Sequence, residues 1–138
     1  MDLSTFDTVA AADRGAVLHL SSPKTGTPMF DEETKQPVTI SLLGSDSKRY
    51  TDFVHKAKNK RIQSIGRMGR RGRATSEEAE AEQLELAVKC TVAWAHIIYK
   101  GQKLEFSEAN VRLLYTEVPV VYDQVVEFME DRSNYLGN

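Results

Sequence analysis

Between residues 61 and 73 the chain reads RIQSIGRMGRRGR, and here the residue types could do chemistry. Arg67, Arg70, Arg71 and Arg73 carry planar guanidinium forks suited to phosphate or carboxylate oxygens, and the intervening glycines leave backbone amides accessible. Other candidate chemistry is sparser. His19, His55 and His96 are scattered, with neither His-x-x-x-His nor Glu-x-x-His spacing, so no metal centre is expected. Cys90 lies beside an apolar stripe without a recognisable base, which suits a small buried hydrophobe better than a nucleophile. The lone glycine of KTGTP is too little for a phosphate cradle, and the carboxylates of EFMEDRSN read as a solvated helix face. No catalytic residues and no cofactor are expected.

The basic segment admits two readings. IGRMGR, residues 65 to 70, resembles the Gly-x-x-Gly loop of KH domains, which lies between two helices and clamps a sugar-phosphate backbone. Against that reading, only two strands are legible upstream, and no aromatic residue falls between Phe53 and Trp94 to stack a base. The alternative makes the segment a connector or partner-docking loop. If the flanking helices form an antiparallel hairpin, the basic residues from 56 to 61 lie beside the acidic residues from 77 to 85. The connector reading leads, and a nucleic-acid-binding regulator stays as the alternative.

Composition sets the frame in which these residues work. A chain of 138 residues, 41% hydrophobic and 28% charged, is expected to fold as one domain around a modest core. Neither an apolar run long enough to span a bilayer nor a secretory leader is evident, so a cytoplasmic setting is expected. The formal net charge of -2 conceals an asymmetry: ten of the 18 Lys and Arg residues fall between Lys48 and Arg73, with Asp52 the sole acid among them. The remainder is correspondingly acidic.

Elements that would position the basic segment follow from periodicity. A short helix is predicted over residues 5 to 13, with Phe6, Val9 and Ala10 at helical spacing and Gly15 ending it. AVLHL and PVTISLL alternate as strands, the first with Leu18 and Leu20 on one face, the second with Val38, Ile40 and Leu42. Their connection is rich in turn formers, with room for a short strand near Met29 and Phe30. Ser45 is expected to cap a helix that carries Tyr50, Phe53, Val54 and Ala57 and runs to about Ile65. Thr75 and Glu78, in capping-box spacing, open the next, whose stripe of Leu84, Ala87, Val88, Thr91, Trp94, Ala95 and Ile98 is the clearest in the chain. A tight turn at Lys100 and Gly101 between two short extended pieces, and a C-terminal helix capped by Ser107 and broken at Pro119, complete the reading. The expectation is an α+β fold: a small antiparallel N-terminal sheet, then a mostly helical C-terminal two-thirds. Residues 1 to 44 would hold the short helix and hairpin region, 45 to 98 a helical hairpin with a mobile basic loop at 66 to 74, and 99 to 138 the turn and last helices.

The final third, LEFSEANVRLLYTEVPVVYDQVVEFMEDRSNYL, resembles the C-terminal part of the small tail assembly chaperones of long-tailed bacteriophages and prophages. Phe106 and Ser107, Ala109 and Asn110, Leu114 and Tyr115, the break at Pro119, Gln124 and Val125, then Phe128, Asp131 and Arg132 carry the likeness. HLSSPKTGTPMF, LLGSDSKRY and CTVAW extend it over most of the chain. The resemblance implies an assembly factor of the infected bacterial cytoplasm that binds the tape measure protein, the tail tube protein or both. It also leaves open a minor structural protein that stays in the tail, and in some relatives a second, frameshifted product. It transfers no site motif. The candidate partner-binding residues rest on sequence physics: Arg67, Arg70, Arg71 and Arg73 in the basic loop, and Tyr135 and Leu136 as apolar residues near a free end. Membrane binding is not expected, and the oligomeric state is left open.

Overall fold

The computed structural model describes residues 2–68 and 76–136, the span 64–68 by its backbone alone. A 3-10 turn, Leu3–Phe6, leads into helix α1, Thr8–Arg14, whose first turn is capped by Asp7 accepting from the Ala10 amide at 3.0 Å. Gly15, at φ +81°, ends the helix as expected, because only glycine reaches that conformation without strain. The buried face differs from the expected one. Ala11 and Ala12 are buried, whereas Phe6 and Val9 are exposed. Small side chains win because the chain crosses α1 closely at Gly44, where a Cβ would stand 2.9 Å from that of Ala12.

Strands β1, Ala16–His19, and β2, Thr39–Leu42, pair antiparallel with Leu18 opposite Ile40. Alternation works as read: Leu20, Ile40 and Leu42 are buried and Val17 points out. Their connection folds back on itself through bridges between Ser21 and Pro28 and between Phe30 and Pro37. The Met29 amide donates to the Leu20 carbonyl, and the Met29 carbonyl accepts from the Val38 amide.

Helix α2, Lys48–Met68, starts at Ser47 rather than at the expected Ser45. The Ser47 hydroxyl is buried and accepts from the Tyr50 amide at 3.2 Å, and Asp13 accepts from the Lys48 amide at 2.8 Å. Helix α3, Ser76–Cys90, packs antiparallel on α2, and Arg61 meets Glu82 at 2.5 Å, so the charge blocks face each other as the sequence suggested. Glu78 lies in the first turn of α3, whereas Thr75 falls outside the described residues.

Instead of continuing to Ile98, α3 stops at Cys90 and the chain becomes β3, Thr91–Ala95, antiparallel to β2 with Trp94 opposite Ile40. Strand order is β1-β2-β3, with a bulge between Ser41 and Leu42. A small hairpin, β4 Ile98–Tyr99 and β5 Gln102–Lys103, turns at Lys100 and Gly101 with φ of 51° and 77°. Helices α4, Glu108–Glu117, α5, Pro119–Glu130, and α6, Ser133–Leu136, follow. Ser107 caps α4 by accepting from the Asn110 amide, and Pro119 opens α5, both as expected.

The fold is α+β, and one hydrophobic cluster joins the inner face of the sheet to α3, α4 and α5. At its centre Thr91 donates to the Ala87 carbonyl (2.8 Å), and its hydroxyl also hydrogen-bonds the Tyr115 hydroxyl (2.6 Å). This network ties the helix-to-strand transition to α4. No helix among the described residues is long and apolar enough to cross a membrane.

Candidate functional site

A groove of about 970 Å³ opens between the folded-back connection and the β4-β5 hairpin. Its floor is the α4-α5 elbow, where Pro119 breaks the helical run and leaves Val118, Val120 and Val121 beside Leu114. Leu20, Met29 and Val38 form one wall and Ile97 and Ile98 the other. Ile98 is 57% exposed, a large apolar surface in contact with water.

Specific polar contacts hold the first wall. Gln124, on α5, accepts from the Ser21 amide and donates to the Ser21 carbonyl, both at 2.9 Å, so one carboxamide pins the strand end to the helix. The His19 imidazole hydrogen-bonds the Met29 carbonyl at 2.6 Å, and its ring meets Phe30 edge-on at 4.9 Å. Beyond them, Asp31 accepts from the Thr34 amide at 2.8 Å and hydroxyl at 2.9 Å. Those hydrogen bonds hold its carboxyl below the usual range, the backbone one contributing most. Asp31, Glu32 and Glu33 make this lip acidic, while His96 and Lys103 lie across the groove. The second wall is braced by the Trp94 indole, which donates to the Leu104 carbonyl at 3.0 Å and packs edge-on against Phe106. An apolar floor between polar lips suits an apolar peptide segment.

A second concavity, about 520 Å³, lies beside α2, lined by Arg49, Asp52, Phe53, Lys56 and Lys89. It is cationic but partly neutralised. Arg49 donates to the Lys89 carbonyl at 3.1 Å, and Lys89 pairs with Glu108 at 2.7 Å.

Of the candidate partner-binding residues singled out from sequence, the structure describes the side chains of Tyr135 and Leu136 alone. Arg67 lies on the last turn of α2, where only the backbone is described, and Arg70, Arg71 and Arg73 fall outside the described residues. Tyr135 turns inward, 6% exposed, packing on Phe128 and lying against Gly44; Leu136 is half-buried. Tyr135 is therefore a packing residue at the α1-α6 contact rather than an exposed apolar end. Arg132, beside it, forks onto Asp46 at 2.7 and 3.0 Å and holds that carboxyl below its ordinary range. The Cys90 thiol is buried and pushed up to about 11 by desolvation, far from nucleophilic character. Among the described residues no cluster of His, Cys, Asp and Glu could hold a metal ion.

The groove was not legible in the sequence. Met29 and Phe30, noticed only as a possible strand, and Ile98, read both as the end of a helical stripe and in a short extended piece before the Lys100-Gly101 turn, were its available signals: apolar residues set in turn-rich or hairpin segments. These features define an α+β protein with an open apolar groove. Comparison with protein-family models, curated proteins and solved structures finds no match to this chain.

Proposed function

We propose that the chain is a tail assembly chaperone of a long-tailed phage or prophage, a protein-binding factor that holds tape measure or tail tube protein during morphogenesis. The observation that carries this reading is the groove between the folded-back connection and the β4-β5 hairpin, with exposed Ile98 on its wall and Val118, Val120 and Val121 on its floor. Such a surface can receive the apolar face of an amphipathic partner segment by burial alone and needs no catalytic group. The motif resemblance along LEFSEANVRLLYTEVPVVYDQVVEF supports the assignment, since Ser107, Pro119 and Gln124 build the elbow and pin the wall.

The test is capture from phage-producing cells with the intact chain as bait, read by mass spectrometry with and without nuclease. A tape measure or tail tube protein recovered in both arms is the expected result. Recovery of nucleic acid alone, or of partners lost with nuclease, would overturn the reading. Stoichiometric presence in purified virions would instead indicate a minor structural tail protein.

One observation favours the nucleic-acid alternative: β3 supplies the third strand that the KH comparison lacked, so the basic segment lies between helices flanked by paired strands. Against it, Gly66 falls inside helix α2, whereas a Gly-x-x-Gly clamp needs both glycines in the loop. Phosphate binding would weaken log-linearly with salt.

A further inference from the structure

We propose that the outer edge of β1 pairs with β1 of a second copy of this chain, about a twofold axis at Leu18, joining the two sheets into one. This inference is independent of the assignment above.

Backbone groups along β1 alternate in direction. The Leu20 amide donates to the Val38 carbonyl, so in this antiparallel ladder the even-numbered residues of β1 direct their backbone groups to β2. Val17, His19 and Ser21 therefore direct theirs away from the sheet. At Ser21 the chain supplies a substitute strand: the Gln124 carboxamide accepts from its amide and donates to its carbonyl. At Val17 and His19, β1 has no strand neighbour on that side among the described residues. Edge strands that remain unpaired usually carry a lysine, a proline or a bulge. β1 reads AVLH and has none of these, the bulge lying at the junction of β2 with β3.

A second copy fits better than a foreign strand because the open register is complementary to itself. With the axis at Leu18, Val17 of one copy stands opposite His19 of the other, and each outward amide finds an outward carbonyl. The ladder can extend no further. Gln124 already occupies Ser21 at one end, and at the other Gly15 turns the chain away at φ +81°. Side chains agree with this register. Val17 is 60% exposed and Phe30 55%. The pairing lays Val17 of each copy against the His19 ring, on which Phe30 already packs edge-on, and so covers both exposed groups.

The test is the mass of the full chain in solution, by sedimentation over a concentration series, with two variants and one cross-link. A dimer is expected. Val17→Pro removes an outward amide that the monomer does not use, and Val17→Lys puts a charge on the edge while keeping the backbone; each should weaken the dimer about ten-fold or more with the fold retained by circular dichroism. Leu18→Cys, opposite itself in a close non-hydrogen-bonded pair, should oxidise to a covalent dimer, since Cys90 is buried, whereas Val92→Cys on β3 should not. A monomer at all concentrations up to about 1 mM would overturn the proposal. So would a dimer that both Val17 variants leave intact, or one that cross-links equally well through position 92.

Discussion

At the residue scale, the contacts that matter most are buried hydroxyls and one buried thiol. Thr91 and Tyr115 share a hydrogen bond in the core, where an orphaned hydroxyl costs more than the bond contributes. Thr91→Val should therefore destabilise by about 1 to 3 kcal/mol in urea unfolding, and Thr91→Val with Tyr115→Phe should lose less than the sum of the single changes. Additive losses would show that the two hydroxyls do not depend on each other. Burial also raises the ionisation of Cys90, to about 11, and in the same direction those of Tyr115 and Tyr135. Each group keeps its proton longer in the folded state than in the unfolded one. Their contribution is full below the unfolded thiol value of 9.0 and declines as pH climbs from there toward 11, with the phenols adding loss above 10.0. The urea midpoint should fall over that interval, and Cys90→Ala should flatten the lower part of the fall. None of these residues was legible as a partner of another from sequence. Cys90 was legible as buried, because it sits beside an apolar helical stripe.

At the element scale, caps and breaks were readable and pairings were not. Ser107, Pro119 and Gly15 act through local backbone chemistry, so their roles could be read within a few residues. Ser45 and Ser47 could not be told apart that way. The true cap is the serine that tertiary packing buries, where its hydroxyl serves the Tyr50 amide. Ser47→Ala should cost about 1 to 2 kcal/mol and Ser45→Ala under about 0.5 kcal/mol in thermal or urea unfolding. Equal effects would return the cap to Ser45. Gln124 is an element-scale device as well, since it completes a strand edge from a helix 103 residues away. In Gln124→Glu the carboxylate can still accept from the Ser21 amide but meets the Ser21 carbonyl without a proton to share. A loss of about 1 to 3 kcal/mol is expected, with faster amide exchange at Ser21 than in the parent; unchanged exchange there would remove Gln124 from this role.

At the scale of the whole molecule, the groove and the open edge of β1 adjoin near Phe30 but are reached through different elements, so changes at Ile98 and at Val17 should separate in experiment. Ile98→Asp, on the groove wall and already exposed, should leave stability within about 0.5 kcal/mol while lowering partner capture several-fold. Unchanged capture would move the docking surface elsewhere. The sequence by itself determined the fold class, the two N-terminal strands, the facing charge blocks of α2 and α3, and the breaks that make the C-terminal elbow. All of these depend on period, caps or turn residues acting over a few positions. Only the tertiary structure decided that the stripe from Leu84 to Ile98 divides at Cys90. The apolar spacing is helical throughout, but Thr91, Val92 and Trp94 are also good strand formers, and β2 offers a ladder of hydrogen bonds that a continued helix would leave unmade. The same reason explains why the groove was hidden. Its walls come from residues near 29 and 97 and its floor from residues near 120, and their proximity is set by the sheet that this divided stripe completes.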